Sequence, residues 1–111
     1  MIRATYDRSA HRLTVTGHGG TANEEGHDLL CAAASTLTYT LAAALVDLCA
    51  AGQISDPDAR LRPGDACLHC RSSHASRGAV LLTFDTVARG FALLASRYPD
   101  HMSYEEVQET S

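Results

Sequence analysis

Two residues that can carry out covalent catalysis stand close together near the N-terminus. They are His18 and Cys31, in the segment GHGGTANEEGHDLLCAAAS that covers residues 17–35. A cysteine thiolate is a strong nucleophile, and a histidine beside it can accept and return a proton. Asp28 is a predicted helix N-cap, which places Cys31 in the first turn, where N–H groups and the helix dipole favour an anion. The pattern therefore predicts Cys31 as nucleophile and His18 as general base and acid.

The residues around this pair suggest supporting roles. The N–H groups at Cys31 and Ala32 are candidates to hold the oxyanion of a tetrahedral intermediate. Ser35 stands one helical turn after Cys31 and shares its face. The segment between His18 and the helix contains Gly19, Gly20 and Gly26 and has no periodicity. It predicts a mobile loop, and loops of this length in compact domains tend to be functional.

The same residues also have ordinary interpretations. A cysteine in an alanine-rich helix is usually a small buried residue, and a histidine in a glycine-rich loop is usually solvated. A histidine upstream of a cysteine does not by itself establish that the two side chains meet. From the residues alone, catalysis by Cys31 and His18 is therefore one hypothesis among several.

A second group, Cys67-Leu68-His69-Cys70 with His74 nearby, suggests a zinc site or a redox pair. This segment, however, alternates like a β-strand, so Cys67 and Cys70 are expected on opposite faces. A second pair of ligands is also missing from the sequence, so we expect no metal or other cofactor.

The elements that must position these residues predict an α+β domain over residues 1–111. Alternating patterns predict a hairpin over residues 2–17, and a leucine stripe predicts a long helix over residues 28–51. We expect residues 53–64 to form a surface loop and residues 65–71 and 79–85 to form strands. Residues 86–98 have helical spacing. Ser103 and Glu106 form a capping box that predicts a last short helix. The predicted order is ββαββα plus a terminal helix, around a mainly antiparallel sheet.

Composition limits the possible functions. The formal net charge is −4, and the nine basic residues are all arginines scattered along the chain, so we expect no direct nucleic-acid binding. Polar residues within the apolar stretch 29–51 favour a buried helix over a membrane span. The first residues, MIRATYDRS, lack the pattern of a signal peptide, so we expect a cytoplasmic protein with reduced cysteines.

The block from Gly17-His18 to Ser35 resembles the ribosomal-processing cysteine protease family, Prp. That family has G-H-A, a short glycine-bearing loop and then D-I-V-C-A-x-x-S. Here Gly19 replaces the alanine and Leu29-Leu30 replace Ile-Val. The chain length, the N-terminal hairpin, the long helix and the ending LASRYPDHMSYEEV are similar too, so the resemblance covers nearly the whole chain.

The resemblance implies a Cys–His dyad at Cys31 and His18, with Ser35 in a supporting role. It implies removal of a short N-terminal extension from a large-subunit ribosomal protein. It further implies a homodimer whose loop between His18 and Cys31 rearranges over the substrate. The alternatives that stay open are a non-enzymatic, ribosome-associated binding factor with the same fold, and a CxxC zinc or redox protein.

Overall fold

The protein is described by a computed structural model that covers residues 1–17 and 27–108, with the backbone only at residues 27 and 28. In chain order its elements are β1 (Ile2–Asp7), β2 (Arg12–Thr16), α1 (His27–Ala50), β3 (Ile54–Arg62), β4 (Asp65–Ser72), α2 (Arg77–Arg97) and β5 (Met102–Val107). The strands form one sheet in the order β3-β4-β2-β1-β5. Three of its four strand pairs are antiparallel, and β1 and β5 run parallel. The predicted α+β class is therefore confirmed.

The predicted N-terminal hairpin is confirmed as β1 and β2. Ile2, Ala4 and Tyr6 are buried on one face of β1, while Arg3 between them is exposed. This alternation is typical of a strand with one face on the core and one in water. The core lies between the inner face of the sheet and the two helices, which also pack on each other. At their contact, a Cβ on Gly90 would lie only 2.7 Å from Leu37.

The prediction of a surface loop over residues 53–64 was wrong, because this segment contains β3. The strand pairs antiparallel with β4 at the edge of the sheet, and only Ile54 among its residues is buried. An edge strand that buries so little has no alternating apolar signal. Pro57 lies where the register shifts between Ser55 and Asp58, and proline is tolerated at such an edge irregularity.

The strand predicted over residues 79–85 was also wrong, because these residues form the first half of α2. A short apolar run fits a buried strand and a buried helix equally well. The buried residues of α2 recur at helical spacing through the whole segment: Val80, Phe84, Val87, Ala88 and Phe91. The helix predicted over residues 86–98 is thus the second half of the same element.

The terminal helix predicted from Ser103 was wrong as well, because residues 102–107 form β5. This strand pairs in parallel with β1, from Ile2 opposite Met102 to Asp7 opposite Val107. Without it, the outer edge of β1 would present a row of unpaired backbone groups. Pairing along β1 therefore outweighs the local capping signal of Ser103 and Glu106.

Two segments, Leu29–Ala50 and Arg77–Arg97, are long and apolar enough to cross a membrane by length and composition alone. Core helices pass the same test. Each of these two buries a stripe against the sheet, including Leu41 and Leu45 from α1.

Candidate active site

A cavity of about 360 Å³ lies where α1 begins, at the end of the sheet formed by the start of β1 and the end of β2. Its apolar wall includes Ile2, Val15 and Ala66 from three neighbouring strands. The face of α1 that carries Cys31 closes the opposite side. The cavity is open to solvent and large enough to admit a side chain of a peptide.

Cys31, Ser35 and Thr38 all line this cavity, so the structure brings them to one face, as their spacing predicted. Cys31 is half-buried and Ser35 is exposed. The Thr38 hydroxyl donates to the carbonyl of Ala34 at 2.8 Å. A thiol in the wall of an open cavity, on a helix that begins beside it, can reach a peptide bound there.

The start of α1 differs from the sequence-based expectation. The helix begins at His27, so Asp28 lies inside the first turn, and its prediction as N-cap was wrong. Cys31 is consequently the fifth helical residue rather than the third. Its Cα–Cβ bond still tilts toward the helix N-terminus, the end at which the helix dipole is positive.

The same shift affects the predicted oxyanion donor. In an α-helix that begins at His27, the N–H of Ala32 is directed to the carbonyl of Asp28. Ala32 is therefore not among the four amides that a helix leaves without an intrahelical partner. An oxyanion role for Ala32 requires this bond to open, and it stays a prediction.

The predicted proton carrier His18 and the loop glycines Gly19, Gly20 and Gly26 lie outside the described residues. Gly17, the neighbour of His18 in the chain, lines the same cavity as Cys31. Its N–H donates to the carbonyl of Gly64 at 2.9 Å, and its φ is +93°. A side chain at Gly17 would overlap the carbonyl oxygen of Met1. Gly17, the residue before His18, is thus held at a tightly fixed point in the cavity wall.

Sequence reasoning missed the turn between β3 and β4, which forms another wall. Leu61, Arg62, Pro63, Gly64 and Asp65 all line the cavity. The signal was present, since proline followed by a glycine with positive φ is the signature of a type II turn, and φ at Gly64 is +72°. This signal did not lead to a predicted hairpin, because the strand before the turn could not be recognised from its sequence.

The CxxC cysteines do not come together. Cys70 is buried on the inner face of β4, while Cys67 lies on the outer face and accepts a hydrogen bond from the Thr14 hydroxyl at 3.8 Å. Burial raises the pKa of the Cys70 thiol. His69 contacts Asp58 at 3.2 Å, and within residues 1–17 and 27–108 no group of three or more ligand side chains could hold a metal ion. The predicted opposite orientation of the two thiols is confirmed, so they cannot ligate one ion together.

Comparison with known proteins gives one family and several solved structures. The family model for the cysteine protease Prp matches residues 1–103. The crystal structure of SMU.848 from Streptococcus mutans is 26% identical, with a TM-score of 0.70 over 98% of this chain and 96% of that chain. The S. aureus ribosomal processing protease Prp, in complex with a covalently linked product peptide, is 20% identical, with a TM-score of 0.68 over 96% and 97%. The same protease in complex with a substrate peptide is 18% identical, with a TM-score of 0.67. No curated protein matches the sequence.

Proposed function

The chain belongs to the Prp cysteine protease family, and from that premise we propose that it removes a short N-terminal extension from a large-subunit ribosomal protein. Cys31 is the proposed nucleophile and His18 the proposed proton carrier. The observation that supports this pair most is the cavity shared by Cys31 and Gly17, because Gly17 is joined directly to His18. The solved S. aureus Prp complexes contain peptides, which supports a peptide as the ligand of this cavity.

The proposed reaction has two stages. The Cys31 thiolate attacks the carbonyl carbon of the scissile peptide bond, and the protonated His18 then donates its proton to the departing amine. This breaks the peptide bond and leaves the N-terminal fragment as a thioester on Cys31. His18 next takes a proton from water, whose oxygen attacks the thioester and releases the fragment and the thiolate. The balance of atoms and charge requires no metal or cofactor.

The surroundings of Cys31 support binding of an extended, partly apolar segment. Ile2, Val15 and Ala66 provide the apolar wall of the cavity. Arg62 and Asp65, which also line it, add one positive and one negative side chain. Ser35, one turn after Cys31, is positioned to bind a polar group of the peptide, and we keep it as a supporting residue. The loop with Gly19, Gly20 and Gly26 is proposed to close over the substrate.

We further propose that the protein is cytoplasmic and works as a homodimer. Self-association is supported by exposed apolar side chains along α1: Leu29, Tyr39 and Val46 are 69%, 60% and 67% exposed, and Tyr39 also lines the cavity beside Cys31. Burial of such residues against a second copy would be favourable at about 25 cal/mol per Å² of apolar surface.

The experiment that tests this function uses the extended ribosomal protein from the same organism as substrate. The wild type, Cys31→Ala and His18→Ala are each incubated with it, and intact masses are followed over time. Cys49→Ala is the matched control, because Cys49 is an exposed cysteine near the other end of α1. The expected result is trimming by the wild type and Cys49→Ala, and none by the other two variants. An untrimmed substrate with the wild type would favour a binding factor instead, and trimming by Cys31→Ala would refute the proposed nucleophile.

A further inference from the structure

An apolar groove lies between α1 and β3, the strand at one end of the sheet. Its volume is about 470 Å³, and its walls include Ala42, Leu45, Val46, Pro57 and Ala59. The cavity beside Cys31 is also lined by α1 and β3. On α1 the cavity ends at Tyr39 and the groove begins at Ala42, only ~4.5 Å further along the helix at ~1.5 Å per residue. The groove therefore continues the cavity.

One face of α1 joins the cavity to the groove. The face that carries Cys31 also carries Ser35, and Ala42 and Val46 follow Ser35 on that face after seven and four residues. Tyr39, which lines the cavity, and Val46, which lines the groove, are both exposed. Contiguous apolar surface of this kind is typical of a binding site. This surface leads away from the candidate nucleophile along the helix.

The inner face of β3 is uncovered along the same path. Ala59 lies directly opposite Leu68 of β4, and the next pair on this face is Leu61 with Ala66. Opposite residues of an antiparallel pair share a face of the sheet. Leu68 and Ala66 are buried, yet Ala59 and Leu61 are exposed. A chain that lies beside β3 can therefore contact apolar side chains of both the strand and the helix.

The outer edge of β3 is suited to backbone pairing. Among residues 1–17 and 27–108, no strand pairs with this edge. The pairing with β4 is regular from Asp58 to Arg62, so the outward N–H and C=O groups of this segment are spaced for one further strand. Between Ser55 and Asp58 the register shifts, and Pro57 has no N–H, so the regular edge ends at the groove. Its length is ~17 Å at ~3.4 Å per residue.

We propose that the substrate of Cys31 binds to this edge as a sixth strand, through an extended segment of about five residues with apolar side chains at alternate positions. This inference rests on the proposed function, because the bound segment belongs to the peptide that Cys31 cleaves. Every second side chain of the segment turns toward α1. Near the cavity these side chains pack on Tyr39 and Leu61. In the groove they pack on Val46 and Ala59.

The continuity of groove and cavity favours the substrate over a second copy of the chain as the occupant. A peptide held at Cys31 has to continue beyond the cavity, and the groove is the apolar continuation between the same two elements. Backbone pairing with β3 gives affinity for an extended chain, and the groove selects its side chains. The groove thus contributes to the choice of substrate at a distance from the scissile bond.

The first test measures cleavage of the extended ribosomal protein by two aspartate variants. Val46 and Leu82 are matched in exposure, at 67% and 68%, but Leu82 lies on α2. Val46→Asp should raise KM about tenfold, which corresponds to ~1.4 kcal/mol, because a carboxylate would face apolar side chains of the peptide. Its kcat should stay near the wild-type value, since Val46 lies ~22 Å along α1 from Cys31. Leu82→Asp should keep the wild-type KM and kcat.

The second test requires no cleavage. The Cys31→Ala variant is mixed with a synthetic peptide copied from the extended N-terminus of the ribosomal protein, and amide hydrogen exchange is followed by mass spectrometry. Exchange within Asp58–Arg62 should slow, because outward N–H groups gain acceptors, while exchange in α2 should not change. When aspartate is introduced at successive positions of the peptide, this protection should be lost at every second position.

The two tests separate this inference from the proposed reaction. Slower exchange in β3 without trimming by the wild type would support the sixth strand and refute the reaction. Trimming by the wild type with unchanged exchange in β3 would overturn the sixth strand alone. An unchanged KM for Val46→Asp would overturn it too. If this variant then also separates a dimer into monomers in sedimentation, a second copy occupies the groove.

Discussion

Replacement of Gly17 by alanine should damage both the fold and the proposed site. At a φ of +93°, alanine is strained by about 1–2 kcal/mol relative to glycine. The new methyl group would overlap the Met1 carbonyl oxygen, so the strand ends must separate. That movement would weaken or break the 2.9 Å hydrogen bond from the Gly17 N–H to the Gly64 carbonyl, and such a bond contributes about 1 kcal/mol to stability. The expected loss in the free energy of unfolding is therefore about 2–3 kcal/mol.

The assay combines urea denaturation with substrate cleavage at a temperature where the variant stays folded. Because Gly17 adjoins His18, a displacement of about 1 Å should lower kcat/KM by ~100-fold. Gly78→Ala is the stability control, since its methyl group meets nothing within 4 Å and alanine suits a helix better by about 0.5–1 kcal/mol. If Gly17→Ala unfolds and cleaves like the wild type, the claim that this glycine fixes the cavity wall is wrong.

Three further predictions concern the rest of the molecule. Burial opposes ionisation of Asp85, but hydrogen bonds, led by that from Arg8, outweigh it and hold its pKa below 3.8. The stability that this carboxylate contributes is therefore present above its ordinary pKa of about 3.8 and is lost as the pH falls through its lower folded value. Melting temperatures of the wild type and Asp85→Asn should differ at pH 7, and the difference should shrink as the pH falls below 3.8. Phe84 is 1% exposed, so Phe84→Ala should cost about 3–5 kcal/mol in urea denaturation, and a loss under 1 kcal/mol would refute its place in the core. Burial raises the pKa of Cys70, so peptide mapping after alkylation at pH 8 should show Cys49 modified well before Cys70, and the reverse order would contradict the fold.

Local patterns predicted the parts of the fold that bury one face of a regular element. The hairpin of β1 and β2 and the helix α1 were predictable because their apolar residues recur with the period of their own structure. The end of α1 was predictable too, since Gly52 has a φ of +73° at the expected C-terminal position.

The elements that sequence reasoning missed depend on partners distant in the chain. β3 is identified by its pairing with β4 and shows no apolar period of its own. β5 is identified by its pairing with β1, and its alternation covers only Met102 and Tyr104, too short a signal to outweigh the capping pattern. The first half of α2 was mistaken for a strand because Val80 and Phe84 are recognised as one helical stripe only when Val87 and Phe91 are added.

The sequence predicted which α1 residues share the face of the candidate site, but it did not predict all the residues that form the cavity walls. Cys31 and Ser35 share the face that their spacing indicates, and that face lines the cavity. The turn at Pro63 and Gly64 enters the same cavity only because β3 folds back on β4. Its contribution therefore could not be derived without the tertiary pairing.

The reactivity of Cys31 relative to Cys49 tests the central claim most directly, because both thiols belong to the same helix of the same molecule. The measurement is the iodoacetamide alkylation rate of each cysteine at pH 7, followed by peptide mapping in the wild type and in His18→Ala. An ordinary thiol is only ~3% ionised at this pH. If Cys31 is the nucleophile, it should react about tenfold faster than the exposed Cys49, and His18→Ala should remove most of that advantage. If the half-buried Cys31 reacts more slowly than Cys49 in both proteins, it is a core cysteine and the proposed protease mechanism is contradicted.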